Sequence, residues 1–343
     1  MEESVTRREV LRLALGAGGA VLLGGAITAC STSPADTSAG SLLASSDEPT
    51  PALSTSTAVA PARTTPLATV ALPATHPWLP SRYEIEPGIK SRAALLVEAI
   101  GAWGTSGAGR SAARTRIAHL GFAPGLVDLA APLLGAGTHA VAQVRDVQYG
   151  GLLSSSASVL IVVDQWRALA SGAVRAGGTT LDVRLTKASP HWRVVDVLPA
   201  RPGARAARIG ASGMRALSDS RIRLPYAAAA DIRAGRIHDS VLVLLREFSA
   251  AHIVDVSILR SGHPLHVFGT SRASDHPRGQ AVDLWGLDSR PFINLANHSL
   301  AEAAMRFAVA HGAYNVGGPV LLNGSQYFSD RTHHDHVHIG FNR

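Results

Sequence analysis

Two short segments far apart in the chain carry matched polar side chains, and bringing them together fixes what the C-terminal part can fold into. The first is Ser274-Asp275-His276-Pro277-Arg278-Gly279-Gln280-Ala281-Val282-Asp283, and the second is Asp335-His336-Val337-His338. His276 and Asp283 lie seven residues apart. That spacing works if the chain turns at Gly279 and enters a strand, which carries a loop imidazole and a strand carboxylate to one point. Ile253 to Leu259, Ala281 to Trp285 and Asp335 to Phe341 read as strands. His338 on a neighbouring strand would then complete a three-donor set, with His336 two residues back on the same face.

Two imidazoles and a carboxylate are donors that zinc takes readily, and three protein donors leave a fourth position for water. We therefore expect one Zn2+ on His276, Asp283 and His338. Cys30 is the only cysteine, which excludes an intrachain disulfide and a cysteine-based zinc site.

Ser274, His276, Gly279, Ala281 and Asp283 match the pattern Ser-x-His-x-x-Gly-x-Ala-x-Asp. On these residues the segment from about 235 to 343 resembles the zinc D-Ala-D-Ala peptidases. His336-Val337-His338 resembles the His-x-His of the wider superfamily, which includes lysostaphin-type endopeptidases and the Sonic hedgehog signalling domain. The resemblance implies that His276, Asp283 and His338 hold the metal. It also places Asp335 where a Glu-x-x-His carboxylate base normally stands. Strand alternation points Asp335 away from His338 unless a bulge, or a strand starting at His336, brings it round; otherwise His336 is the base. The family's Ser-Gly-Tyr/Phe-Arg is replaced by Ser261-Gly262-His263-Pro264, without the arginine that grips a substrate carboxylate. Arg260, Arg272 and Arg278 are candidates to replace it, with Arg272 preferred and Ser274 beside it on the substrate side. Nine of the 15 histidines fall between His263 and His338. His263, His266, His333 and His334 are expected in structural or rim roles.

The N-terminus bears on compartment. Arg7-Arg8 precede a mildly apolar, Gly-rich run that closes with Ile27-Thr28-Ala29-Cys30. The paired arginines resemble a twin-arginine export signal and the tetrapeptide a bacterial lipobox. The resemblance implies lipidation of Cys30 and a place on the extracytoplasmic face of the membrane, facing the wall. Residues 31–84, rich in Ser, Thr, Ala and Pro, read as a disordered tether.

The expected fold class is α+β, with two α+β domains after the signal (1–30) and the linker. The first, 85–205, has helices at Arg92–Trp103 and Ser111–Leu120. Four strands follow, at Thr138–Tyr149, Ala157–Val163, Thr180–Thr186 and His191–Leu198. Its closing pair, LDVRLTKASPHWRVVDV, resembles the last hairpin of a nuclear-transport-factor-2-like cone, implying a pocket-bearing or spacer module. The second, 206–343, is expected to be a small antiparallel sheet with flanking helices. One helix is read at Ser240–His252, and another is opened by a capping box at Ser299-Leu300-Ala301-Glu302 and ended by Gly312.

Net charge is +7, almost entirely from arginine, since Lys90 and Lys187 are the only lysines among 32 Lys+Arg. A basic exported head suits an acidic wall polymer or phospholipid surface. No DNA- or RNA-reading motif is present, so nucleic acid is not an expected partner. The expected activity is hydrolysis of peptide bonds in peptidoglycan stems or crosslinks, of carboxypeptidase or endopeptidase type. The missing Glu and Arg support the alternative, a catalytically inactive, zinc-stabilised wall-binding or sensing module.

Overall fold

The run Ala157-Ser158-Val159-Leu160-Ile161-Val162-Val163 offers almost nothing to water on either side, and in the computed structural model all seven residues are buried. A strand this continuous in apolar character must be covered on both faces. That double cover is the main organising fact of the fold. The structure describes residues 71–342; the expected leader, Cys30 and the tether through residue 70 lie outside them.

The N-terminal lobe begins with α1 (Pro87–Gly101), α2 (Gly109–His119) and the short α3 (Leu126–Leu129). Four strands follow: β1 (His139–Leu152), β2 (Ser156–Ala168), β3 (Val174–Thr186) and β4 (Arg193–Pro199). They form an antiparallel meander in the order β1-β2-β3-β4. Pro87 opens α1 at a position where its missing N–H costs nothing. Ile89, Leu96, Val97 and Ile100 of that helix share one core with Val159, Ile161 and Val163 of β2. The alternate residues Leu160 and Val162 point the other way and meet Ile258 of the C-terminal lobe. Burial of side chains this size contributes about 1.5–3 kcal/mol each.

The segment before α1 corrects the extent of the expected tether. The His76 backbone exchanges hydrogen bonds with the Gln143 side chain, at 3.0 and 3.1 Å. Trp78 packs on the N-terminal core, and Glu84 pairs with Lys90 at 2.6 Å. An indole and an ion pair supply enough interaction to hold a chain whose composition alone reads as linker.

The C-terminal lobe contains α4 (Ala211–Ser218), β5 (Ile222–Arg223), α5 (Tyr226–Arg233), α6 (Asp239–Ser249) and β6 (Val254–Ile258). Next come β7 (Ala281–Leu287), β8 (Arg290–Pro291), α7 (His298–Ala310), β9 (Asn315–Gly317), β10 (Tyr327–Phe328) and β11 (Val337–Gly340). The sheet order is β10-β9-β11-β7-β6-β5, with β8 paired to β7. Its centre is antiparallel as expected, but β5–β6 and β9–β10 at the edges are parallel, so the sheet is mixed. Val241, Leu244, Leu245 and Phe248 of α6 enter the core as their spacing predicts.

The expected capping box at Ser299 does not form. The helix starts at His298, and its cap position is held by Asn297, two residues before Ser299, without a side-chain cap bond. Glu302 instead pairs with Arg306 one turn on. Asn297 is drawn away from capping because its amide donates to Pro291 O at 2.9 Å and accepts from Arg290 at 3.2 Å. No helix among the described residues is long and apolar enough to cross a membrane.

Candidate metal centre

Strand register does most of the assembly. In the antiparallel β7–β11 pair His338 stands directly opposite Asp283, so both side chains emerge on the same face. His276 reaches that face from a single 3-10 turn, His276–Arg278, ended by Gly279 at φ 72°. A Cβ on Gly279 would lie 1.9 Å from Arg236 O, so both the left-handed backbone and the close approach require glycine. The Gly279 carbonyl in turn accepts from the His238 backbone at 2.9 Å, tying the turn to the start of α6.

Three atoms converge. His276 Nε2 is 3.1 Å from Asp283 Oδ1 and 3.1 Å from His338 Nδ1, and His338 Nδ1 is 3.0 Å from Asp283 Oδ1. Donor atoms around a tetrahedral zinc, with bonds of ~2.0–2.1 Å, stand roughly 3.3 Å apart, so this triangle is close to the size such an ion needs. His276 Nδ1 lies 2.7 Å from Leu259 O and must carry the proton for that bond, which turns the Nε2 lone pair toward the other two donors. All three side chains are buried.

His263 belongs to the same group. It is stacked on His276 with ring centroids 4.0 Å apart, and His263, His276 and Asp283 form a group that could bind a metal ion. Its Nδ1 is engaged by Pro264 O at 2.9 Å, leaving Nε2 as its free donor. The expectation of a structural or rim role for His263 is therefore too weak. The signal was its place in Ser261-Gly262-His263, directly after the Ser-Gly pair singled out in the sequence.

The electrostatics favour ligand forms. Burial pushes His338 down to about 4 against the pull of Asp283. Burial and the neighbouring His276 push His263 well below the usual imidazole range. Burial opposes ionisation of Asp283, yet His276, His336 and the hydrogen bonds to His276 and His338 hold it well below the ordinary carboxylate value. Neutral imidazoles and an ionised carboxylate are the states that bind a divalent cation.

Asp335 does not come to the donor atoms. β11 starts only at Val337, and the Asp335 carboxylate faces Lys90 and His336 instead. Asp335 Oδ1 lies 2.6 Å from His336 Nδ1, while His336 Nε2 is 3.9 Å from Asp283 Oδ1. Of the two candidate bases, His336 is the one beside the donor group, with Asp335 behind it as its orienting acceptor. Burial disfavours a charge on His336, but Asp283 and Asp335 outweigh it and raise its proton affinity. Asp335, also opposed by burial, is held well below its usual value by Lys90 and His336.

Glu84, His334 and Asp335 form a second group with metal-like spacing. Lys90 Nζ already occupies it, 2.6 Å from Glu84 Oε2 and in contact with Asp335 Oδ2. Lys90 is fully buried. It supplies the positive charge that a cation would otherwise bring.

A cleft of about 360 Å³ opens beside His336 and His338. Leu153 of the β1–β2 turn, Phe268, Tyr327 and Phe328 wall it, and Arg272 and Ser274 line it. Arg272 is exposed and is the one of the three candidate arginines on this cleft. Arg260 is committed to Pro277 O at 3.1 Å and Asp231 at 3.6 Å, and Arg278 to Asp275. Ser274 is buried, and its Oγ accepts from the His276 backbone at 3.4 Å, so it braces the ligand loop as well as facing the cleft.

Gln148 is a contributor that sequence reasoning missed altogether. Its Nε2 donates to Asp283 Oδ2 at 2.6 Å from the N-terminal lobe. A glutamine in a strand carries no local signal of such a role. No family model matches this chain, and no curated protein or solved structure matches it either.

Proposed function

We propose that the chain is an exported lipoprotein, anchored through Cys30 on the extracytoplasmic face of the membrane, that binds one zinc ion and hydrolyses peptide bonds in peptidoglycan. The observation that carries the reading is the convergence of His276 Nε2, Asp283 Oδ1 and His338 Nδ1 at 3.0–3.1 Å, with His336 beside them and a cleft at their side. When bound, zinc supplies a Lewis acid that acidifies water and polarises a carbonyl.

The chain's own residues supply the rest. His336, fixed through Nδ1 by Asp335, presents Nε2 to the donor side and accepts the proton of the attacking water. Arg272 at the cleft lip faces the carboxylate end of a peptide, and the Tyr327 and Phe328 rings restrict water and orient the chain.

A second reading, a zinc-stabilised wall-binding module without turnover, is favoured by one observation. Lys90 ties up the Asp335 carboxylate, so the carboxylate at the expected base position is not free.

Metal analysis of the purified chain should find about one zinc, lost in His276→Ala. Digestion of purified muropeptides, read by mass spectrometry, should then release a single terminal D-Ala or open a crosslink. Intact stems and crosslinks alongside stoichiometric zinc would favour the module. A His276→Ala protein with full zinc would remove both readings.

A further inference from the structure

The N-terminal lobe reaches the metal centre through one face of β1. Val147 and Tyr149 point into the core shared with α1, and the alternate residues Asp146 and Gln148 point at the C-terminal lobe. There Ser257 Oγ of β6 donates to Asp146, and Gln148 Nε2 donates to Asp283 Oδ2. Gln148 is buried, and its Oε1 has no hydrogen-bond partner among the described residues. The amide orientation is fixed all the same, because a flipped amide would set its oxygen 2.6 Å from a carboxylate oxygen.

Asp283 has two oxygens with separate tasks. Oδ1 faces His276 Nε2 and His338 Nδ1, while Oδ2 is occupied by Gln148. A carboxylate held this way offers a single oxygen in a fixed direction, which is what an outer hydrogen bond does for a metal ligand.

We infer that Gln148 is a positioning residue of the metal centre, so that the centre is assembled from both lobes and the N-terminal lobe is part of the site. The inference rests on the metal half of the proposed function and is independent of peptidase activity.

The test is zinc affinity of the full-length chain, measured with zinc alone by competition against a chelating dye, with the visible spectrum of the cobalt(II)-loaded protein as a second readout. Gln148→Met keeps the side chain's length and removes the donor, and should weaken zinc by roughly 10–100-fold and shift the cobalt spectrum. Gln143→Met alters another β1 glutamine, bound to the His76 backbone away from the site, and should leave both readouts unchanged. If Gln148→Met fails to fold, Gln148→Asn, whose amide is one methylene short of Asp283, serves instead and should also weaken zinc. Affinity within about twofold of the unaltered chain in a folded variant overturns the inference. So does an equal loss in Gln143→Met, which would make the effect a general property of the lobe. An unaltered chain that takes up no zinc overturns both this inference and the proposed function. Weakened zinc in the variant, with muropeptides left intact by the unaltered chain, upholds the inference and removes only the peptidase reading.

Discussion

Replacing Lys90 by Met asks whether the buried charge cluster is held together by its one cation. Lys90 is fully buried, with Nζ 2.6 Å from Glu84 and in contact with Asp335, whose side chains are 4% and 5% exposed. Methionine keeps most of the stem and its packing beside Tyr149, so the change isolates the ammonium. At an effective dielectric of about 20 a contact near 2.6 Å is worth roughly 6 kcal/mol before desolvation is counted. Removing the cation leaves two buried carboxylates with only the neighbouring imidazoles, His336 beside Asp335 and His334 beside Glu84, and the net loss expected is about 3–5 kcal/mol. The pH dependence has a definite sign. Asp335 is held well below its usual value, so its contribution is present above the unfolded pKa of about 3.9 and is lost as pH falls through the folded value. Lys90 is raised despite its burial, by Asp335 and Glu84, so its contribution persists up to about 10.4 and fades only above the folded value. Urea unfolding should therefore show the full penalty at pH 7 and a smaller one at pH 3, where the variant's Asp335 takes up a proton. Lys90→Met/Asp335→Asn should recover part of the loss. A penalty below about 1 kcal/mol at pH 7, the size of an exposed pair, would refute the reasoning.

Gly279→Ala should cost at least about 1–2 kcal/mol for a left-handed alanine, plus the displacement of a Cβ placed 1.9 Å from Arg236 O; thermal melting should register the loss, and zinc binding should fall with it because His276 rides on this turn. His336→Ala should retain zinc while muropeptide hydrolysis falls by about 10²–10⁴-fold; unchanged turnover would remove it as the proton acceptor. Asp146→Asn should stabilise the protein at alkaline pH. Burial pushes Asp146 up to about 6 against its hydrogen bond from Ser257, so its contribution is present below about 3.9 and lost as pH rises through about 6. The shift corresponds to at most about 3 kcal/mol, and about 1 kcal/mol is expected because Asp146 keeps part of its surface exposed; denaturant midpoints should separate at pH 8 and coincide at pH 4.

The centre was legible where side-chain chemistry and backbone need coincided. His276, Asp283 and Gly279 sit in one short segment in which a turn and a strand entry leave a single workable geometry, and the His338–Asp283 register follows from pairing two strands of period two. The choice between Asp335 and His336 stayed open because it turned on where the last strand starts: it begins at Val337, and Asp335 answers instead to Lys90, 245 positions away. His263 was read only as structural or rim, and Gln148 was missed, because their placement depends on contacts across the fold. His263 lies on a loop that comes over His276, and Gln148 lies on a strand of the other lobe, 135 positions from its partner. Likewise the apolar run in β2 declared a strand, but only its second cover, Ile258, explains why the run does not alternate.

The two lobes therefore differ from a catalytic head on a spacer. A spacer needs only covalent continuity, whereas here the N-terminal lobe supplies a hydrogen bond to Asp283 and, in Lys90, a buried cation against Asp335. Such contacts position a metal ligand only if the lobes meet without slack, since productive geometry tolerates displacements of only about 0.5 Å. The packing meets that condition at the cleft itself: a Cβ on Gly151 of β1 would fall 2.1 Å from the Phe268 side chain, so the strand passes this wall residue closer than any other amino acid allows. The bond to Asp283 and this close passage lie three residues apart on the same strand, which makes β1 the element through which the N-terminal lobe acts on the centre.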